Sequence, residues 1–529
     1  MQIPEIESAL AGLESRDVVA RIWRKDHTVW RADPTEIANR LGWLNTTEQM
    51  CELVPALETF AAEVRSAGFR HVVLLGMGGS SQGPDVLRQV LGPINHPSGS
   101  PSPRIQEAAR QPELHNYPTL IVLDSTVPAS VRAVSGQIDP ARTLFLVSSK
   151  SGGTTETNSF YRHFRGLLER AVGTERAGRS FVAITDQGTT LEKLAQDEGF
   201  RRIFLNSPEI GGRFSVLSYF GLVPAVLAGI DVGILLDRAN CMREACAPCV
   251  PARENPGALL GATIGVLARQ GRDKLTLVTP PPLESFGLWV EQLLAESLGK
   301  DGKGIIPVAG EPWLEPGSYG RDRLFVYLTL AGADNPSPTG RTNTQMLDRI
   351  GASGHPVLRL ELKDRYDLGA EFFRWELATA VAGSLLDVHP FDQPDVQGSK
   401  DNTDRVLEGF RRDGRLPPMA ESGKLSELLR QAEPGDYLAI MAYIQPDSEV
   451  EGLFAELRRR VGGRLGIATT VGYGPRYLHS TGPLHKGGPA TGLYLQLTAD
   501  YTSDAPIPGQ EYDFGVLATA QAIGDFGAL

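Results

Sequence analysis

Several short stretches carry residue types able to hold an anion and to move protons. The first is VSSKSGGTTETN, Val147–Asn158, in which seven of twelve residues are Ser, Thr or Lys and two Gly are adjacent. It starts on the last residue of an apolar run, Thr143–Val147. Hydroxyls and backbone N–H groups at such a strand-to-helix turn suit an anion, because the first helical turn has unpaired N–H groups and a positive dipole end. The same residues are good helix caps, so the stretch alone leaves both roles open. The second is LLGMGGSSQGPDV, Leu74–Val86, a glycine turn after another apolar run. Its G-x-G-G-S-S order lacks the dinucleotide fingerprint, and no GK[ST] follows to make a Walker loop. Its glycines still allow close backbone approach to a ligand. Two such turns at the carboxyl edge of one parallel sheet would frame a phosphate site. Ser149, Ser151, Thr154 and Thr157 would supply neutral donors.

In EIGGRFSVLSYFG, Glu209–Gly221, Arg213 follows two glycines at the start of an apolar helix. A permanently charged guanidinium suits a developing oxyanion, although an arginine there can also be a surface cap. SFGLWVEQLLAESLGKDGKG, Ser285–Gly304, reads as a helix stopping at Gly299, with an apolar stripe of Phe286, Trp289, Val290, Leu293 and Leu294. Glu291 and Glu296 point about 140° apart on that helix, so they cannot share one site. Taken singly, each reads as a solvated carboxylate. HPFDQPDVQGSKDNT, His389–Thr403, carries Lys400, and YLHSTGPLHKGGP, Tyr477–Pro489, carries His479 and His485. Cys241, Cys246 and Cys249 cluster without an evident fourth ligand, so reduced structural thiols are expected rather than zinc.

The elements that must position these residues follow from length and patterning. A chain of 529 residues is too long for one core. Its 41% hydrophobic and 22% charged content is that of a globular protein, and a net charge of −11 argues against a nucleic-acid surface. No signal-peptide pattern or apolar run approaching 18 residues occurs, so a cytoplasmic protein with no membrane partner is expected. Residues 1–60 read as a helical cover, with Ile37, Leu41 and Leu44, then Leu53, Leu57 and Phe60, at helical spacing. Short apolar runs at 71–76, 119–123, 143–147, 181–185 and 202–206 alternate with helix-like segments over 61–245. A second set at 274–279, 304–308, 323–330 and 356–362 falls within 246–405, and a third at 437–444, 464–471 and 492–497 within 406–529. Continuous apolar strands alternating with helices predict parallel sheets covered on both faces. HPSGSPSPR, 96–104, has the composition of a surface loop.

In chain order, GGSSQGP, SSKSGGTTET, GGRFSVLS, ESLGK and HPFDQPDVQGSK resemble the motifs of the phosphoglucose isomerase family. More closely, the chain resembles the isomerase half of bacterial transaldolase/phosphoglucose isomerase fusion proteins, with no transaldolase half expected. The resemblance spans Leu74–Lys400 and implies two sugar-isomerase (SIS) parallel-sheet α/β sandwich domains, flanked by the N-terminal cover and the C-terminal α/β segment. It implies that Gly79 and Ser80 form a substrate turn and that Ser149, Ser151, Thr154 and Thr157 bind phosphate. It places Arg213 beside an enediolate, Glu296 as the base and Lys400 near the ring oxygen. The implied reaction interconverts glucose 6-phosphate and fructose 6-phosphate without metal or organic cofactor. The alternatives are a non-catalytic sugar-phosphate-binding SIS module and an isomerase of another hexose phosphate, such as mannose 6-phosphate.

The chain also departs from the family. SKSGGTT stands where SKTFTT is usual, and HPFDQ where NPFDQ is usual. The catalytic histidine has no good match between the Glu and Lys motifs, where only His355 and His389 occur. LHSTG resembles an H-S-x-G-Q stretch of bacterial isomerases, which assigns ring opening to His479, with His485 second. Family members complete their site with a neighbouring subunit's histidine, so a homodimer is one arrangement that the resemblance implies.

Overall fold

The apolar runs become parallel strands. In the computed structural model, which describes residues 3–93, 117–333, 340–393, 396–419 and 423–529, β1 (His71–Gly76), β2 (Thr119–Leu123), β3 (Thr143–Ser148), β4 (Phe181–Asp186) and β5 (Arg202–Asn206) form one sheet. Its order is β2-β1-β3-β4-β5, parallel throughout. β3 and β4 are buried at all six positions, as strands covered by helices on both faces must be. This sheet belongs to a compact unit of Asn39–Asn240 and Ser503–Phe514. The loop expected at 96–104 lies outside the described residues.

The other unit comprises Met1–Ala38, Cys241–Thr502 and Gly515–Leu529. It holds two parallel sheets. β6 (Lys274–Val278), β7 (Ile306–Ala309), β8 (Arg323–Leu330) and β9 (Val357–Leu362) run in the order β7-β6-β8-β9. β10 (Tyr437–Ala442), β11 (Ala468–Tyr473) and β12 (Gly492–Leu497) run in the order β11-β10-β12. In all three sheets the first strand sits between the next two, so the chain reverses its winding there. The crevice outside the carboxyl ends of such strands is where α/β sheets bind ligands.

A buried polar network ties β8 to the C-terminal segment. Arg323 donates to both oxygens of Glu311 at 2.9 and 3.1 Å and to Thr276 at 2.8 Å. Glu311 also accepts from the backbone N–H and hydroxyl of Thr469 on β11, at 2.9 and 3.1 Å. Arg458, on the helix Ser448–Leu465, donates to the carbonyls of Ala309, Gly310 and Thr469 at 2.8–2.9 Å. Such multiple pairing offsets the desolvation that a lone buried charge would suffer.

Two expectations of local structure need correction. Ile37 and Leu41 are fully buried but lie in turns; the helix starts only at Trp43, and Leu41 instead bridges to Ile210. The strand expected over 464–471 begins at Ala468, because the preceding helix runs to Leu465 and Gly466 closes it at φ +71°.

Candidate functional site

In the first unit, β1 and β3 are neighbours, and both glycine turns leave the sheet at their carboxyl ends. After β1 the chain makes a tight turn over Gly78–Ser80 and enters the helix Gln82–Leu91. Gly79 lies against the turn that carries Arg213. A Cβ at Gly79 would sit 1.9 Å from the carbonyl oxygen of Gly212, so only glycine permits the contact. Arg213 is 2% exposed, and its guanidinium lies 5.8 Å from the Phe214 ring. Ser80 is buried beside Gly79 in the same turn.

After β3, residues 149–154 curl over the N-terminus of the helix Thr155–Val172. Ser149 staples this loop: its hydroxyl accepts from Gly152 N–H at 3.1 Å and shares a 2.9 Å hydrogen bond with Thr154. Ser151 accepts from Gly153 N–H at 3.4 Å and is exposed, whereas Thr154 is half-buried. The Thr157 hydroxyl is buried without a hydrogen-bond partner among the described residues. Hydroxyls around unpaired N–H groups at a helix N-terminus make an anion cradle. Gly79, Ser80, Ser149, Ser151, Thr154, Thr157 and Arg213 are thus gathered on two adjacent strand ends and the turn packed against one of them.

The second unit holds the other candidates. Glu296 lies in the last turn of the helix Phe286–Leu298 and is 5% exposed, so the solvated-face reading of this carboxylate fails. Gln292, one turn earlier, donates to Glu296 Oε2 at 3.2 Å and to the carbonyl of His479 at 2.8 Å. The Gln393 amide donates to Glu296 Oε1. Lys300 grips the neighbouring Asp392 at 2.6 Å and its carbonyl at 2.9 Å. The ESLGK and HPFDQ stretches therefore meet, and the His479 backbone lies one side chain from Glu296. Lys400 sits near the start of the helix Val396–Asp413, exposed and with no ion-pair partner among the described residues.

Gln292 and Gln393 were missed from the sequence. The i, i+4 spacing of Gln292 and Glu296 was the available signal for the first. Nothing local announces the second, because 97 residues separate it from Glu296.

His485, His389 and His355 each pack against aromatic rings. The His485 ring lies 5.3–6.3 Å from those of Tyr437, Tyr477 and Tyr494, and burial pushes its pKa down to about 3. His389 is buried; its Nδ1 accepts from Phe391 N–H and its Nε2 lies 3.3 Å from the Thr35 carbonyl. His355 packs edge-on against Tyr319 and Phe325. Cys246 is buried, with its thiol pushed up to about 12, while Cys241 and Cys249 are exposed. No group of three or more His, Cys, Asp or Glu among the described residues could hold a metal ion.

An anion cradle at the winding reversal of one parallel sheet, and a buried, amide-held carboxylate in a second α/β unit, place the chain among the SIS-type α/β proteins. The fold resembles that of a hypothetical protein from Thermus thermophilus, with TM-score 0.62 and 24% identity over 78% of this chain and 98% of that one. It also resembles a glucose-6-phosphate isomerase from Chlamydia trachomatis, with TM-score 0.60 and 18% identity over 77% and 86%. The sequence pattern of phosphoglucose isomerase matches residues 18–305. A glucose-6-phosphate isomerase from Rubrobacter xylanophilus is 30% identical over 437 residues, 75% of this chain and 94% of that protein. One from Symbiobacterium thermophilum is 30% identical over 69% of this chain and 86% of that protein. The chain belongs to the phosphoglucose isomerase family.

Glu291 generates a test of the helix assignment. It is 7% exposed, and burial pushes its pKa up to about 8, against the opposing pull of Arg458, an Ala309 backbone hydrogen bond and Arg476. Between its ordinary value of 4.5 and about 8 the folded chain keeps a proton that the unfolded chain has lost, so this group's contribution to stability falls as pH rises. The Tm of Glu291→Gln should therefore fall less between pH 5 and pH 8 than that of the wild type, as read by scanning calorimetry. An equal or steeper fall would contradict a buried neutral carboxyl.

Proposed function

We propose that this chain is a glucose-6-phosphate isomerase, interconverting glucose 6-phosphate and fructose 6-phosphate. The observation that carries the reading is Glu296, a buried carboxylate held by two side-chain amides in a member of the phosphoglucose isomerase family. The hydroxyls of Ser149, Ser151, Thr154 and Thr157, with the N-terminus of the helix Thr155–Val172, take the phosphate; Gly79 and Ser80 bound the sugar. His479 and Lys400 open the ring by proton transfer at O1 and O5. Glu296 then removes the C2 proton, giving a cis-enediol, and returns a proton to C1. The C2 hydroxyl becomes the ketone while the C1 carbonyl becomes an alcohol, so atoms and electrons balance without a cofactor. A base must stand within hydrogen-bond reach of the proton that it moves, and fixing the carboxylate by amides serves that need. Arg213 stabilises the oxyanion that develops during the transfer.

The reading extends to a homodimer in the cytoplasm, where a sugar phosphate is available. No helix among the described residues is long and apolar enough to cross a membrane. A coupled assay should show turnover of glucose 6-phosphate well above that of mannose 6-phosphate; the reverse preference would reject the substrate. Glu296→Gln should fold normally and lose at least about 10²-fold in kcat, the low end for a general base, whereas Glu291→Gln should retain activity. A more damaging Glu291→Gln would reverse the assignment of helix faces.

His479→Ala separates ring opening from proton transfer. The variant should lose turnover of the closed pyranose but still exchange the C2 proton of an open-chain analogue, since Glu296 is untouched. Loss of both activities in a folded variant would give His479 another role.

A further inference from the structure

We propose a second anion site, sharing no residue with the phosphate cradle, that takes a nucleoside di- or triphosphate. It is a concavity of about 870 Å³ formed by the helix Val396–Asp413, the segment after it and the C-terminal helix Phe514–Phe526. Arg405, Arg412 and Arg415 line it, against the single carboxylate of Asp413. Arg412 pairs with that carboxylate at 2.8 and 2.9 Å. Arg405 donates to the Asn402 side-chain oxygen, at 2.9 Å, and among the described residues neither it nor Arg415 has an ion-pair partner. Among the described residues, then, neither guanidinium group is paired with a carboxylate, on a chain of net charge −11.

The walls are built rather than incidental. Asn402 donates to the Gly524 carbonyl at 3.2 Å, joining the two helices. A Cβ at Gly524 would lie 2.6 Å from the Thr403 hydroxyl oxygen, so the close approach requires glycine. Val406, Pro417 and Ile523 supply apolar surface between the arginines.

These features define the ligand class. Guanidinium forks match phosphate oxygens in paired hydrogen bonds and also stack on planar rings. A lone phosphate would occupy little of the volume, which lies in the range of small-molecule sites, about 300–1,000 Å³. A polyphosphate carrying a flat, partly apolar body satisfies both the charge and the apolar surface.

Calorimetric titration of the full chain with ADP and with inorganic pyrophosphate, in saturating fructose 6-phosphate, tests the site. ADP should bind saturably at one site per chain, and more tightly than pyrophosphate. Arg405→Gln/Arg415→Gln should weaken ADP at least about tenfold, given the strength of charge-assisted hydrogen bonds, and leave isomerase activity at the wild-type level. Absence of saturable ADP binding, or unchanged affinity in the double variant, would overturn the proposal. So would displacement of ADP by the sugar phosphate, which would place the nucleotide in the isomerase site. Pyrophosphate binding as tightly as ADP would overturn the nucleotide assignment.

Discussion

A carboxylate taken out of water must be given hydrogen-bond donors or it will not stay charged and oriented. Glu296 meets this constraint at the end of a helix whose other residues are nearly all buried. Its donors come from Gln292 on the same helix and from Gln393 after a long excursion of the chain. Gln292 also holds the carbonyl of His479, so the position of the C-terminal segment is fixed by the same amide that orients the carboxylate. The Arg323–Glu311–Thr469–Arg458 network acts at a second point, anchoring β11 and its helix to the strands β6 to β8. Two separate polar ties thus hold the C-terminal segment in one arrangement.

The hydroxyl cradle depends on a different constraint, that of topology. A parallel strand order of β2-β1-β3 sends the chain in opposite directions from adjacent strand ends, leaving the two turns free to face a common ligand. The glycine contact between Gly79 and Gly212 then brings Arg213 to that edge. The cradle uses neutral donors, while the permanent charge of Arg213 is kept buried at 2% exposure. This division suits a reaction in which the phosphate stays bound and unchanged while negative charge appears elsewhere on the substrate.

Much of this was legible in the sequence because continuous apolar runs leave little alternative to a covered parallel strand. β1, β2, β5, β8 and β12 occupy the residues expected of them. The hydroxyl loop was legible too, since a local turn and the helix after it are written in consecutive residues. Spacing failed where tertiary packing replaced local structure: Ile37 and Leu41 keep their buried positions without a helix, and residues 464–467 belong to a helix end and its cap. The burial of Glu291 and Glu296 was illegible because a carboxylate on a helix gives no sign of which neighbours will cover it. Gln393 illustrates the same limit: its role depends on a contact across 97 residues, which no local period encodes.

In the proposed mechanism a base, and not a direct carbon-to-carbon hydride shift, carries hydrogen between C2 and C1. Proton NMR of glucose 6-phosphate incubated with the full chain in deuterated water tests it most directly. Over many turnovers a carboxylate base loses part of its captured protons to solvent, so on prolonged incubation deuterium should accumulate at C2 of recovered glucose 6-phosphate and at C1 of fructose 6-phosphate. Interconversion of the two sugars with neither position labelled would contradict the account.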